Sequence, residues 1–113
     1  MALHALGKVT VTTAGTPVIA TTNATAPTDR LGANAILIEA WWANAGKIYI
    51  CDRSNPVVAT GVGVIAVLAP CTTNFIPSFS ATLPYASGGL SVNDIWIDAE
   101  TSADGVLVSY VAG

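Results

Sequence analysis

Val92-Asn93-Asp94-Ile95-Trp96-Ile97-Asp98-Ala99-Glu100 alternates residue by residue, with Ile95, Ile97 and Ala99 on one side and Asp94, Trp96 and Asp98 on the other. A period of two belongs to a half-buried β-strand, whose successive side chains point to opposite faces. Ala103-Asp104-Gly105 follows and reads as a hairpin turn. Gly105-Val106-Leu107-Val108-Ser109-Tyr110-Val111 then reads as the returning strand.

The same grammar recurs upstream. In Ala35-Ile36-Leu37-Ile38-Glu39-Ala40-Trp41-Trp42, Ile36, Ile38 and Ala40 fall on one face and Leu37, Glu39 and Trp41 on the other. Ala43-Asn44-Ala45-Gly46 turns the chain into Lys47-Ile48-Tyr49-Ile50-Cys51-Asp52, and the two segments read as a hairpin. In Lys8-Val9-Thr10-Val11-Thr12-Thr13, Val9 and Val11 point inward, and Val18-Ile19-Ala20-Thr21 is a second β-branched strand after an Ala14-Gly15-Thr16-Pro17 turn. Residues 23–32, which hold Asp29 and Arg30, read as a loop. Residues 57–60 and 63–68 are strand candidates, the second buried on both sides, and 70–89, with Pro70, Pro77 and Pro84, reads as loops and edge strands. No long stretch carries an apolar period of 3.6, so little helix is expected.

Length sets the scale: 113 residues fit one domain, with residues 1–7, holding Leu3 and Leu6, as a possible N-terminal arm. Composition is the unusual feature. Apolar residues make up 52% of the chain and charged ones 10%, with mean hydropathy +0.60; an average domain carries about 25% charged residues. Such a surface needs lipid or protein against it. The longest apolar run, near 57–69, is broken by Thr60, Gly61 and Gly63 and is shorter than the roughly 20 residues of a spanning helix; the many long strands of a pored barrel are also missing, so no membrane is expected. Burial in an obligate oligomer remains. The four basic residues, Lys8, Arg30, Lys47 and Arg53, are scattered and the net charge is −3, which argues against nucleic acid. The segment Met1-Ala2-Leu3-His4-Ala5-Leu6-Gly7-Lys8 lacks a basic start and an apolar core, so no secretion signal is expected.

Chemistry is sparse. His4, the single histidine, sits in a terminal segment expected to fray, and no residue flanking it in the sequence suits base or metal work. Cys51 and Cys71 have no CxxC spacing; buried free thiols fit a protein made inside a cell, a disulfide being the alternative. Asp94, Asp98, Glu100 and Asp104 read as a solvated acidic rim, with a Ca²⁺ hairpin of Asp98, Glu100 and Asp104, which lacks EF-type loop spacing, as the alternative. Gly61-Val62-Gly63 lacks the third glycine of a dinucleotide fingerprint. Neither an enzyme nor a cofactor is expected. The aromatics Trp41, Trp42, Tyr49 and Trp96 stand out, because at least one of the adjacent tryptophans and both others point away from the core. Such a set stacks on sugars, anchors a protein interface, or is covered by a second sheet.

The opening Gly7-Lys8-Val9-Thr10-Val11-Thr12-Thr13-Ala14-Gly15-Thr16, the central Lys47-Ile48-Tyr49-Ile50-Cys51-Asp52 and the late Asn93-Asp94-Ile95-Trp96-Ile97-Asp98 resemble small tailed-phage virion proteins. Where that pattern has glycine and tyrosine, this chain has Cys51 and Trp96. The resemblance implies a jelly-roll-like β-sandwich, a capsid decoration or cement protein of the virion, with the major capsid protein as partner and homotrimers as the common assembly. The reading is therefore all-β: a single antiparallel β-sandwich of about eight strands, oligomeric, with Trp41, Trp42, Tyr49 and Trp96 as contact anchors. The alternatives are a carbohydrate-binding sandwich of a tail fibre or adhesin, and another tail or neck component.

Overall fold

The structure is a computed structural model that describes residues 2–20, 32–33, 35–82, 90–91 and 95–112. Among them are ten strands and no helix: β1 (Ala2–Thr10), β2 (Val18–Ile19), β3 (Gly32–Ala33), β4 (Ala35–Ala40), β5 (Ile48–Cys51), β6 (Val64–Leu68), β7 (Ser78–Thr82), β8 (Leu90–Ser91), β9 (Trp96–Ala99) and β10 (Gly105–Ala112). The readings of residues 23–31, 83–89 and Asp94 lie outside the described residues.

Pairing is nested. β1 pairs with β10, β2 with β9, β3 with β8, β4 with β7 and β5 with β6, all antiparallel. Such a chain is one long ribbon folded back on itself, and wrapping the ribbon brings β10 beside β4 and β5 beside β9. Two four-stranded sheets result, sheet A in the order β1-β10-β4-β7 and sheet B in the order β2-β9-β5-β6. This is the jelly-roll form of the antiparallel β-sandwich.

Alternation places the core as the sequence suggests. Ile36, Ile38 and Ala40 of β4 and Val106, Val108 and Tyr110 of β10 join Ile48 and Ile50 of β5 and Ile97 and Ala99 of β9 in one buried cluster. Most are β-branched, which suits a pleated, tightly packed surface. β1 needs an irregularity to join them. Ala5 faces Ser109 and Gly7 faces Val108, leaving Leu6 as an extra residue, and Gly7 adopts φ 76°. This bulge changes the phase of the strand: Leu3 lies outside while Val9, also odd-numbered, is fully buried.

Several expectations are corrected. β4 and β5 do not form a hairpin, nor do β9 and β10: each pair is split between the two sheets. Period-two patterns look the same for a hairpin and for an arch between sheets, so the pattern alone does not separate them. Residues 2–7 are not a detached arm but the first part of β1, zipped onto β10. His4 is not frayed: its ring stacks on Tyr110, with centroids 4.8 Å apart. Residues 57–60 form turns around a Val57–Val62 bridge rather than a strand. β6 is a sheet edge with Ile65 and Val67 about half exposed, not a strand buried on both sides.

Candidate interaction surfaces

The outer face of sheet A is built from side chains opposite one another across strands. Lys8, Leu107, Glu39 and Ser78 form one rung, Ala5, Ser109, Leu37 and Ser80 the next, and Leu3, Val111 and Ala35 the third. Charge is confined to the first rung. Two open, mostly apolar hollows follow one another along this face. One of ≈ 200 Å³ is bounded by Ala5, Leu37, Glu39, Leu107 and Ser109, and one of ≈ 240 Å³ by Leu3, Ala35, Leu37, Ser80, Ser109 and Val111.

Beyond the first rung lies an aromatic corner. The backbone N–H of Trp41 donates to Gly105 O, and the Trp41 ring stacks on Trp42, with ring centroids 3.8 Å apart. The Lys8 ammonium reaches the Trp41 ring at 4.7 Å from its centroid, a cation–π contact. Gly105 permits this route: a Cβ there would come within 3.0 Å of Lys8 Cε and 2.5 Å of Val9 O. Trp42 remains 59% exposed.

Tyr49 and Trp96 belong elsewhere, on the outer face of sheet B. Tyr49 is opposite Asp98, and Cys51 is opposite Trp96. Both aromatics are half-buried. The four candidate anchors are thus two pairs on two surfaces, a separation that follows from the arch between β4 and β5.

The acidic reading also changes. Asp98 and Asp104 are buried, not solvated. Asp98 Oδ1 accepts from Gly15 N at 2.9 Å and from Ala99 N at 2.8 Å. The Asp104 carboxylate accepts from Ala45 N and Gly46 N at 2.9–3.1 Å. These carboxylates hold loops by backbone donors, whereas Glu100 is exposed. Among the described residues, no group of three or more His, Cys, Asp or Glu is placed to hold a metal ion. Cys51 and Cys71 are free thiols. Burial, with Asp98 and Asp52 nearby, pushes the Cys51 thiol up to about 11; burial and then Glu39 raise Cys71. The Arg53 guanidinium at 2.6 Å lowers exposed Asp52.

A second apolar surface escaped the sequence reading. Val57, Val58 and Val62 in the β5–β6 connection and Ile65 and Val67 on β6 are all exposed. So are Phe75 and Ile76 in the β6–β7 connection. A signal was present: residues 54–93 contain no charged side chain. Comparison with protein-family models finds no match, and neither do comparisons with curated proteins and with solved structures.

Proposed function

We propose that this jelly-roll chain is a non-enzymatic structural subunit that decorates and stabilises a phage capsid, with the major capsid protein as its partner. The observation that carries the reading is the exposed, uncharged aliphatic hairpin formed by Val57, Val58, Val62, Ile65 and Val67. A free edge strand is normally blunted by charge or proline, because its unpaired backbone invites another chain. β6 carries neither, which suits a strand whose neighbour is another protein. The sequence resemblance to tailed-phage virion proteins supports the capsid as that neighbour. At about 25 cal/mol per Å², modest apolar contacts repeated over a shell give strong avidity.

The test is co-sedimentation with empty shells assembled from the major capsid protein of the same genome. The wild-type chain is expected to pellet with shells and to raise their disruption temperature. Val62→Asp and Ile65→Asp, both exposed, are expected to remain folded and to stay in the supernatant. Absence of wild-type binding overturns the reading. The exposed Trp42 face favours the glycan alternative; binding on a glycan array that Trp42→Ala abolishes would replace the capsid reading with it.

A further inference from the structure

We infer that residues 57–62, the tip of the hairpin between β5 and β6, form a knob shaped in advance that enters an uncharged, apolar pocket of the shell without refolding, and that Gly61, Gly63 and Arg53 are the residues that position it. The inference rests on the shell reading above and names what the shell recognises.

The knob is closed by its own backbone. Val57 N donates to Val62 O at 2.8 Å, and Val57 O accepts from Gly61 N at 2.9 Å, from Thr60 N at 3.2 Å and from Thr60 Oγ1 at 3.3 Å. One residue is thus pinned through both of its backbone groups. Every residue from 57 to 62 is exposed, so these bonds rather than packing on the sandwich hold the shape. Val57, Val58 and Val62 are 49%, 39% and 52% exposed. A loose loop gains by folding such side chains onto apolar surface, whereas this backbone holds them outward.

Two glycines permit the path. Gly61 adopts φ 80°, and a Cβ there would meet nothing within 4 Å, so its requirement is conformation alone. Gly63 adopts φ 86°, and a Cβ there would come within 2.8 Å of Arg53 Cδ and Nε. The Arg53 side chain therefore crosses the base of the hairpin over Gly63. Its guanidinium is held by Asp52, with Nε to Oδ1 at 2.6 Å and Nη2 to Oδ2 at 3.2 Å. Asp52 N in turn donates to Gly63 O at 2.9 Å. A backbone bond and a side-chain brace close the same point.

Charge defines the pocket. Residues 54–93 carry no charged side chain, and the charge of Arg53 is met by Asp52. A charged pocket would lose its hydration to the valines and gain no partner. A concave apolar pocket accepts the three valines through burial alone. Advance shaping matters because ordering a loose six-residue loop on binding costs conformational entropy at every residue.

Amide exchange in the free chain, read by NMR, and co-sedimentation with shells test this together. In the wild-type chain the Val57 and Gly61 amides are expected to exchange at least about tenfold more slowly than in an unstructured peptide. Gly61→Ala touches nothing but strains the left-handed backbone, and is expected to lower that protection about tenfold and shell affinity about fivefold. Gly61→Asn is bulkier yet tolerates the left-handed region, so it is expected to stay within about threefold of wild type in both. If contact at position 61 mattered instead of shape, the larger Asn would bind worse than Ala. Arg53→Ala is expected to lower protection and affinity about twofold, and Gly63→Ala, which both strains the backbone and displaces the brace, by more. Unprotected Val57 and Gly61 amides, or weaker shell binding by Gly61→Asn than by Gly61→Ala, overturn the inference. A wild-type chain that does not pellet overturns the shell reading, and amide protection then decides the shape of the knob on its own.

Discussion

Asn44 pairs with Gly105 as if it were a residue of a neighbouring strand: its Nδ2 donates to Gly105 O at 2.9 Å, and its Oδ1 accepts from Gly105 N at 2.9 Å. The side chain thereby takes the N–H of the first residue of β10 and shares its carbonyl with the backbone N–H of Trp41. Asp104, next to it, takes the N–H groups of Ala45 and Gly46. The arch that carries the chain from β4 to β5 is thus tied to the arch from β9 to β10. Asn44, Gly46, Asp104 and Gly105 together join the two places where the chain changes sheets at this end of the sandwich.

Asn44→Ala leaves the buried Gly105 N–H without its acceptor, while Gly105 O keeps the backbone N–H of Trp41. Such a loss costs more than the bond itself contributes, and a destabilisation of about 1–3 kcal/mol is expected. Asn44→Asp keeps the acceptor but sets an oxygen against Gly105 O, so it also destabilises. The midpoint of urea unfolding measures both.

Gly105→Ala places a methyl group 2.5 Å from Val9 O and 3.0 Å from Lys8 Cε. The lysine tip gives way easily, but the backbone oxygen does not. A loss of about 1–3 kcal/mol is expected, together with altered tryptophan fluorescence as Lys8 leaves the Trp41 ring. Unfolding followed by fluorescence and by far-UV circular dichroism checks both effects.

Ala103 adopts φ 73°, a left-handed conformation that its Cβ disfavours. Glycine carries no such penalty, and Ala103→Gly is expected to stabilise the protein by about 1 kcal/mol. A rise in melting temperature supports this; a fall would show that chain entropy outweighs the strain.

Burial raises the Cys51 thiol from 9.0 to about 11. Below pH 9 the thiol is protonated in both folded and unfolded chains. Between pH 9 and about 11 the unfolded thiol ionises while the folded one keeps its proton, so stability falls as pH rises through that window. The loss is on the order of 2–3 kcal/mol. Cys51→Ala should flatten this part of the pH–stability curve relative to wild type, leaving the smaller slope of Cys71. Native Cys51 should also resist thiol reagents at pH 8, where Cys71 reacts first.

Face assignments were legible because alternation is local. Ile36 and Ile38, Ile48 and Ile50, and Ile95 and Ile97 point inward as their spacing requires. Strand partnership was not legible, because Ala35–Ala40 and Ile48–Cys51 carry the same pattern whether they share a sheet or face each other across the core. The apolar face of sheet A was hidden for the same reason: Leu3, Leu37 and Leu107 come from three distant segments and become neighbours only through pairing. Asp98 and Asp104 misled because an acidic side chain normally marks solvent, and only the structure shows the backbone donors they accept. The uncharged span 54–93 was visible in the letters and would have pointed to the hairpin surface.

Nested pairing also sets the order of events during synthesis. Among the described strands, β1 (Ala2–Thr10) has its one sheet A neighbour in β10 (Gly105–Ala112), far along the chain. At roughly 5–20 residues per second β1 waits seconds to tens of seconds for β10 with Val9 uncovered. Nucleation accordingly belongs to the middle of the chain, where the consecutive strands β5 and β6 pair with each other, and the ribbon closes outward from there.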